Sequence, residues 1–174
     1  MTLEEAIRTA IEFEVNVRNV YRDAVRKIAD EGGRKVLQTL AAEEQDHVDY
    51  LTERLREWKD AGQIKVTAIP RSLPSPETIQ RGIETLQEKI TAPAGQVADR
   101  ESDLRMLERA LEVEKRTSAF YERMVRELPP ESRGMFERFL EIEKGHLAIV
   151  EAEIDSVSGM GFWFGFPEFD LENE

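Results

Sequence analysis

The chain of 174 residues has no cysteine and only two histidines. The first absence excludes disulfides, thiolate nucleophiles, zinc–thiolate sites and Cys-ligated iron centres of the iron–sulfur or rubredoxin kind. No apolar run approaches the ~20 residues that a membrane-crossing helix needs. The opening Met1-Thr2-Leu3-Glu4-Glu5 is acidic where a signal peptide is basic and then apolar. A cytoplasmic protein without membrane association is therefore expected. Positive charge is in short supply too: the formal net charge of -12 repels phosphate backbones and anionic lipid, so nucleic acid is not an expected partner. Such a surface suits a soluble protein that handles cations. What is present, 40% hydrophobic residues in a chain of single-domain length, suffices for a buried core.

With histidine this scarce, its placement is informative. Each His closes the same four-residue phrase, Glu44-Gln45-Asp46-His47 and Glu143-Lys144-Gly145-His146. A Glu and a His three apart on a helix share one face about a turn apart, so carboxylate and imidazole can reach one metal ion. A second phrase also repeats: Glu14 is followed seven residues on by Tyr21, and Glu114 by Tyr121. The Glu/Tyr pairs are offset by 100 residues and the Glu/His pairs by 99, in the order Glu/Tyr, Glu/His, Glu/Tyr, Glu/His. This reads as a duplicated helical hairpin. The Glu/Tyr spacing is weak by itself, since Glu43 also precedes Tyr50 by seven.

Four segments show helical periodicity. The first aligns Leu3, Ala6, Ile7, Ala10, Glu14, Val17, Tyr21, Ala24 and Ile28. The second, about Gly33 to Trp58, aligns Val36, Leu37, Leu40, Glu44, His47, Leu51 and Leu55. The third, starting near Asp103, aligns Leu104, Leu107, Leu111, Glu114, Ser118, Tyr121, Val125 and Leu128, and stops at Pro129-Pro130. The fourth aligns Met135, Phe136, Phe139, Glu143, His146, Val150 and Ile154. All six candidate ligands lie on apolar stripes, with Glu12 and Glu112 as alternates two residues from Glu14 and Glu114. Short connections at 30–33 and 129–133 predict two antiparallel hairpins. The link over about 59–101 is long enough to cross the bundle, with a short helix expected from Pro76 to Ile90 capped by Ser75. The fold expected is all-α, a four-helix bundle over residues 1–157. An aromatic tail follows over 158–174, with Phe162, Trp163, Phe164, Phe166 and Phe169. The tail is expected to pack on its own bundle or across a dimer, the alternative being a docking peptide.

Four carboxylates buried without partners would cost several kcal/mol apiece against a total stability of only ~5–15 kcal/mol. Two divalent cations cancel their formal charge. Each metal then takes one His, one terminal Glu and a share of two bridging Glu, with coordination positions left open. Oxygen-rich sites containing imidazole suit iron or manganese, while zinc or copper is expected to intrude on purification.

One Glu from each of two helices and Glu-x-x-His from each of the other two resembles the ligand pattern of ferritin-like di-iron carboxylate proteins, over about residues 3–155. The resemblance implies two iron ions per chain, Glu14 and Glu114 as terminal ligands, Glu44 and Glu143 as bridges, and one imidazole per iron from His47 and His146. It implies that Tyr21 and Tyr121 hydrogen-bond the ligand carboxylates. Within that superfamily the chain is most similar to the rubrerythrin-like group, which implies reduction of hydrogen peroxide or oxidation of ferrous iron. It departs from a full rubrerythrin in lacking the rubredoxin domain, which implies an external electron donor such as a rubredoxin-like protein. It also has Thr117 and His146 where rubrerythrins tend to carry carboxylates. The symmetric six-ligand set is closer to a bacterioferritin ferroxidase centre, but Gln45 stands where a haem-ligating methionine would be, so no haem is expected. A homodimer is implied. Iron storage and oxygenation of an organic substrate are the alternative functions.

Overall fold

The computed structural model describes residues 1–29, 31–69 and 97–158. Its four helices are α1 (Leu3–Val25), α2 (Glu31–Ala61), α3 (Val97–Glu127) and α4 (Pro130–Val157). No strand occurs among the described residues. The expected crossover helix at 76–90 and the aromatic tail at 159–174 lie outside them.

Local sequence accounts for the ends of these helices. Thr2 and Glu5 form a capping box on α1: the Thr2 Oγ1 accepts from the Glu5 N–H at 3.2 Å, and the Glu5 carboxylate accepts from the Thr2 N–H at 2.8 Å. Gly62, with φ +65°, stops α2 in a left-handed turn that a side chain would strain. The periodicity predicted later starts for α2 and α3 than the structure shows. Residues 97–102 extend α3 by nearly two turns, and Glu101 among them pairs with Arg105 one turn on at 2.9 Å. α4 begins at Pro130 itself, because a proline in the first turn has no N–H to lose and its φ is already helical. The stripe on α3 is also rotated slightly from the one expected. Ala110, Thr117 and Met124 are buried, while Leu111 and Val125 are only partly so.

Two apolar clusters divide the interior, and their order along each helix defines the topology. On α1 the chain passes from Ala6, Ile7 and Ala10 of one cluster, through Glu14, to Val17, Val20 and Tyr21 of the other. α2 runs the opposite way, from Leu37 and Leu40 through Glu44 and His47 to Tyr50 and Leu51. α3 runs the same way as α2, from Leu107 and Ala110 through Glu114 to Phe120, Tyr121 and Met124. α4 returns from Met135, Phe136 and Phe139 through Glu143 and His146 to Ile149 and Val150. The bundle is therefore two antiparallel hairpins with α2 and α3 parallel. The end of α2 and the start of α3 therefore lie at opposite ends of the bundle, about 45 Å apart for a helix as long as α2. The residues just after α2 are pinned beside α2 and α4: Arg54 donates to the Lys65 carbonyl at 2.8 Å and to Thr67 Oγ1 at 3.0 Å, while Tyr50 and Arg138 both donate to the Thr67 carbonyl. At the other end, Asp103 accepts from the Ala29 N–H at 3.1 Å, holding the α1–α2 turn against α3.

Candidate metal centre

One polar layer separates the two apolar clusters, and every helix contributes to it. α1 and α3 each bring a single carboxylate, Glu14 and Glu114. α2 and α4 each bring a Glu/His pair, Glu44 with His47 and Glu143 with His146. Five of the six are 0% exposed and His146 is 1% exposed. Glu12 and Glu112, the alternates, point outward and are exposed.

The two imidazole rings lie nearly parallel, 5.6 Å apart with 12° between their planes, and both present Nδ1 to the carboxylates. His47 Nδ1 is 3.2 Å from Glu14 Oε2, 3.4 Å from Glu44 Oε2 and 3.9 Å from Glu143 Oε1. His146 Nδ1 is 2.8 Å from Glu44 Oε1, 3.8 Å from Glu114 Oε1 and 3.9 Å from Glu143 Oε1. These contacts resolve into two groups able to hold a metal ion, Glu14-Glu44-His47-Glu143 and Glu44-Glu114-Glu143-His146, with ligand atoms mutually within 4.8 Å. Glu44 and Glu143 belong to both groups, the arrangement that bridging carboxylates require.

The tyrosines cross over. Tyr21 on α1 donates to Glu114 on α3, and Tyr121 on α3 donates to Glu14 on α1. Each phenol fixes the carboxylate of the opposite helix; Glu14 turns its other oxygen, Oε2, to His47, whereas the Glu114 oxygen held by Tyr21 is also the one 3.8 Å from His146 Nδ1. Their surroundings differ, however. Tyr21 sits among Val, Ala, Ile and Leu side chains. Tyr121 stacks on Phe139 at 5.1 Å and 5°, and Phe139 in turn meets His47 edge-on at 5.2 Å and Tyr50 at 5.9 Å.

The electrostatics are those of a site built around positive charge. Burial pushes the carboxyls of Glu44, Glu114 and Glu143 up; neighbouring carboxylates, Glu14 above all, push Glu44 and Glu143 further. Burial acts in the same direction on Glu14, but the groups facing it, Glu44, His47 and Tyr121, outweigh it and hold that carboxyl at about 2. His146 is pushed up to about 10, because Glu44, Glu43 and Glu114 overcome the effect of burial. Both phenols are raised by burial and by the adjacent carboxylates. Without a cation the layer must therefore hold protons in place of metal. No well-aligned hydrogen bond reaches either oxygen of Glu44 or Glu143, Glu114 Oε2, or either ring nitrogen of His146. Orphaned buried acceptors of this kind are rare and costly, and metal coordination would satisfy them.

One residue in the layer escaped the sequence reading. Glu43, next to Glu44, is 0% exposed, and its Oε2 lies 3.6 Å from His146 Nε2, on the face of the ring away from the other carboxylates. Its sequence signal, a Glu seven before Tyr50, coincides with that of Glu14 and Glu114, and only the fold tells them apart.

Fold and site together define a four-helix bundle with a buried Glu/His group that can bind metal. No family model and no curated protein matches the chain. Among solved structures, a hypothetical protein from Pyrococcus furiosus superposes on it with a TM-score of 0.62, covering 94% of each chain at 20% identity. That likeness extends to the fold of nearly the whole chain. Among the described residues, no helix is long and apolar enough to cross a membrane.

Proposed function

We propose that this protein is a ferritin-like di-iron oxidoreductase of the rubrerythrin-like type, which reduces hydrogen peroxide or oxidises ferrous iron at a carboxylate-bridged centre. The observation that carries the reading is the convergence of six ligating side chains from four helices into two overlapping groups that share Glu44 and Glu143. The parallel course of α2 and α3, which a long crossover must serve, supports the ferritin-like topology.

In this reading Glu14 and His47 would hold one iron, Glu114 and His146 the other, and Glu44 and Glu143 would be shared between them. Iron bound there would supply one-electron redox chemistry toward dioxygen or peroxide. The chain's own groups do the rest. Tyr21 and Tyr121 keep the terminal carboxylates oriented, and their O–H groups are the nearest phenolic protons to the centre. The clusters above and below exclude water, which strengthens each charge interaction within the layer. Reducing one hydrogen peroxide to two waters consumes two electrons and two protons. Because the chain has no cysteine for an iron–sulfur or rubredoxin-type relay, the electrons come from a separate donor of the rubredoxin kind. The functional unit in this reading is a cytoplasmic homodimer.

Elemental mass spectrometry after anaerobic ferrous reconstitution tests the centre. About two irons per wild-type chain and a sharp loss in Glu44→Ala with His146→Ala are expected; no metal in either would refute it. Peroxide consumption with a reduced donor, set against oxygen-dependent oxidation of added ferrous iron, then separates the two activities. Light scattering distinguishes a dimer from a storage cage.

A further inference from the structure

The two halves of the centre obey the duplication in every ligand, but they break it behind the imidazoles. His146 Nε2 faces the buried Glu43 carboxylate at 3.6 Å, in ion-pair range. The 99-residue offset that relates Glu44 to Glu143 and His47 to His146 assigns Glu43 a counterpart at position 142, and that residue is Ile142, a buried hydrophobe. Neither buried Nε2 makes a well-aligned hydrogen bond, but among the described residues no carboxylate comes within ion-pair range of His47 Nε2. Its ring meets the edge of Phe139 instead.

This difference bears directly on metal binding. Both rings present Nδ1 to the carboxylate layer, so a ligating imidazole must be neutral and carry its proton on Nε2. Behind His146, the Glu43 carboxylate stands 3.6 Å from that nitrogen, where its charge favours the Nε2-protonated tautomer and makes Nδ1 a stronger donor to the metal. Behind His47 no carboxylate stands comparably close among the described residues, and a buried N–H with no charge to face opposes the same tautomer. The carboxylates do not compensate, since each half has one terminal Glu and shares both bridges.

We infer that the two metal positions are unequal, the His146 half being a tight, resident site and the His47 half a weaker, exchangeable one, with Glu43 as the positioning residue that sets the difference. This rests on the metal-centre reading and adds to it an order of loading. The first ion enters beside His146 and stays. The second, beside His47, comes and goes, as ferrous iron must if it is to be both bound and released there.

The test is a titration of the metal-free full-length protein with cobalt(II), followed by calorimetry and by visible absorption. Two steps are expected in the wild type, the first tighter by roughly 10–100-fold, the usual effect of a carboxylate behind a ligating histidine. His47→Ala should keep the tight step and His146→Ala should lose it. Glu43→Ile should weaken the first step until the two merge, and Glu43→Gln, which keeps an acceptor but no charge, should fall between; circular dichroism verifies that both variants fold. Two equivalents bound in one indistinguishable step by the wild type, or a tight step that survives in folded Glu43→Ile, would overturn the inference while leaving the metal centre standing. No cobalt bound by the wild type would overturn both.

Discussion

Removing metal should make this protein less stable as pH rises from 5 to 8, the reverse of its behaviour when loaded. The carboxyls of Glu44, Glu114 and Glu143 are raised above the ordinary value of 4.5 by burial, with the charge of neighbouring carboxylates adding to it. A carboxyl raised in this way binds more protons folded than unfolded, so it erodes stability from pH 4.5 upward until the folded group itself ionises. His146 acts in the same direction: raised from 6.5 to about 10 by the carboxylates of Glu44 and Glu43, it contributes stability in full below pH 6.5 and loses it toward about 10. Glu14, held at about 2, contributes stability that is present above 4.5 and lost only as pH falls through about 2, so it stays constant in this window. Each excess proton on the native state is worth about 1.4 kcal/mol per pH unit. One proton retained from pH 5 to 8 therefore costs about 4 kcal/mol, or roughly 8–16 °C of Tm for a chain of this size. Metal-free protein followed by circular dichroism at pH 5, 6, 7 and 8 should show that fall. Glu44→Gln with Glu143→Gln should flatten it. With a divalent cation present the trend should reverse, because a ligand must shed its proton to bind metal. A Tm that is flat or rising with pH in the metal-free wild type would refute the electrostatic account of the layer.

Three further outcomes are expected. Phe139→Ala removes a fully buried ring stacked on Tyr121 and set against His47, and should cost about 3–5 kcal/mol in urea unfolding of the metal-free protein. Tyr21→Phe and Tyr121→Phe each delete one hydrogen bond to a buried carboxyl, and each should lower stability by about 1.5–3 kcal/mol in the same measurement; a neutral result would mean the crossed pairing is inert. Arg54→Met removes the guanidinium that lies over the Tyr50 ring and with it the bonds to Lys65 and Thr67. Hydrogen exchange at 65–69 should accelerate, with the amides of α1 unaffected.

Some of this molecule was legible residue by residue. Helical stripes interrupted by Glu14, Glu44, His47, Glu114, Glu143 and His146 announced both the bundle and the polar layer, because a charged residue at a core position of a 3.6-residue repeat must turn inward with its neighbours. Helix starts were less so. Proline at 130 was read as a break where it serves as a first turn, and residues 97–102 lack the apolar spacing that would have marked them. The metal, the electron donor and the dimer remain the resemblance's contribution to the proposal.

The sequence by itself determined which side chains could meet and in what numbers: four carboxylates and two imidazoles, duplicated at offsets of 100 and 99. Only the tertiary structure decided how they meet. The crossing of Tyr21 to Glu114 and Tyr121 to Glu14 follows from α1 and α3 running antiparallel, and no local pattern encodes the direction of a helix 100 residues away. The choice of Glu14 over Glu12, and of Glu43 as the group behind His146, was settled in the same way. A helix faces its neighbours at an angle fixed by packing, and a rotation of about 100° per residue turns a buried carboxylate into a solvated one.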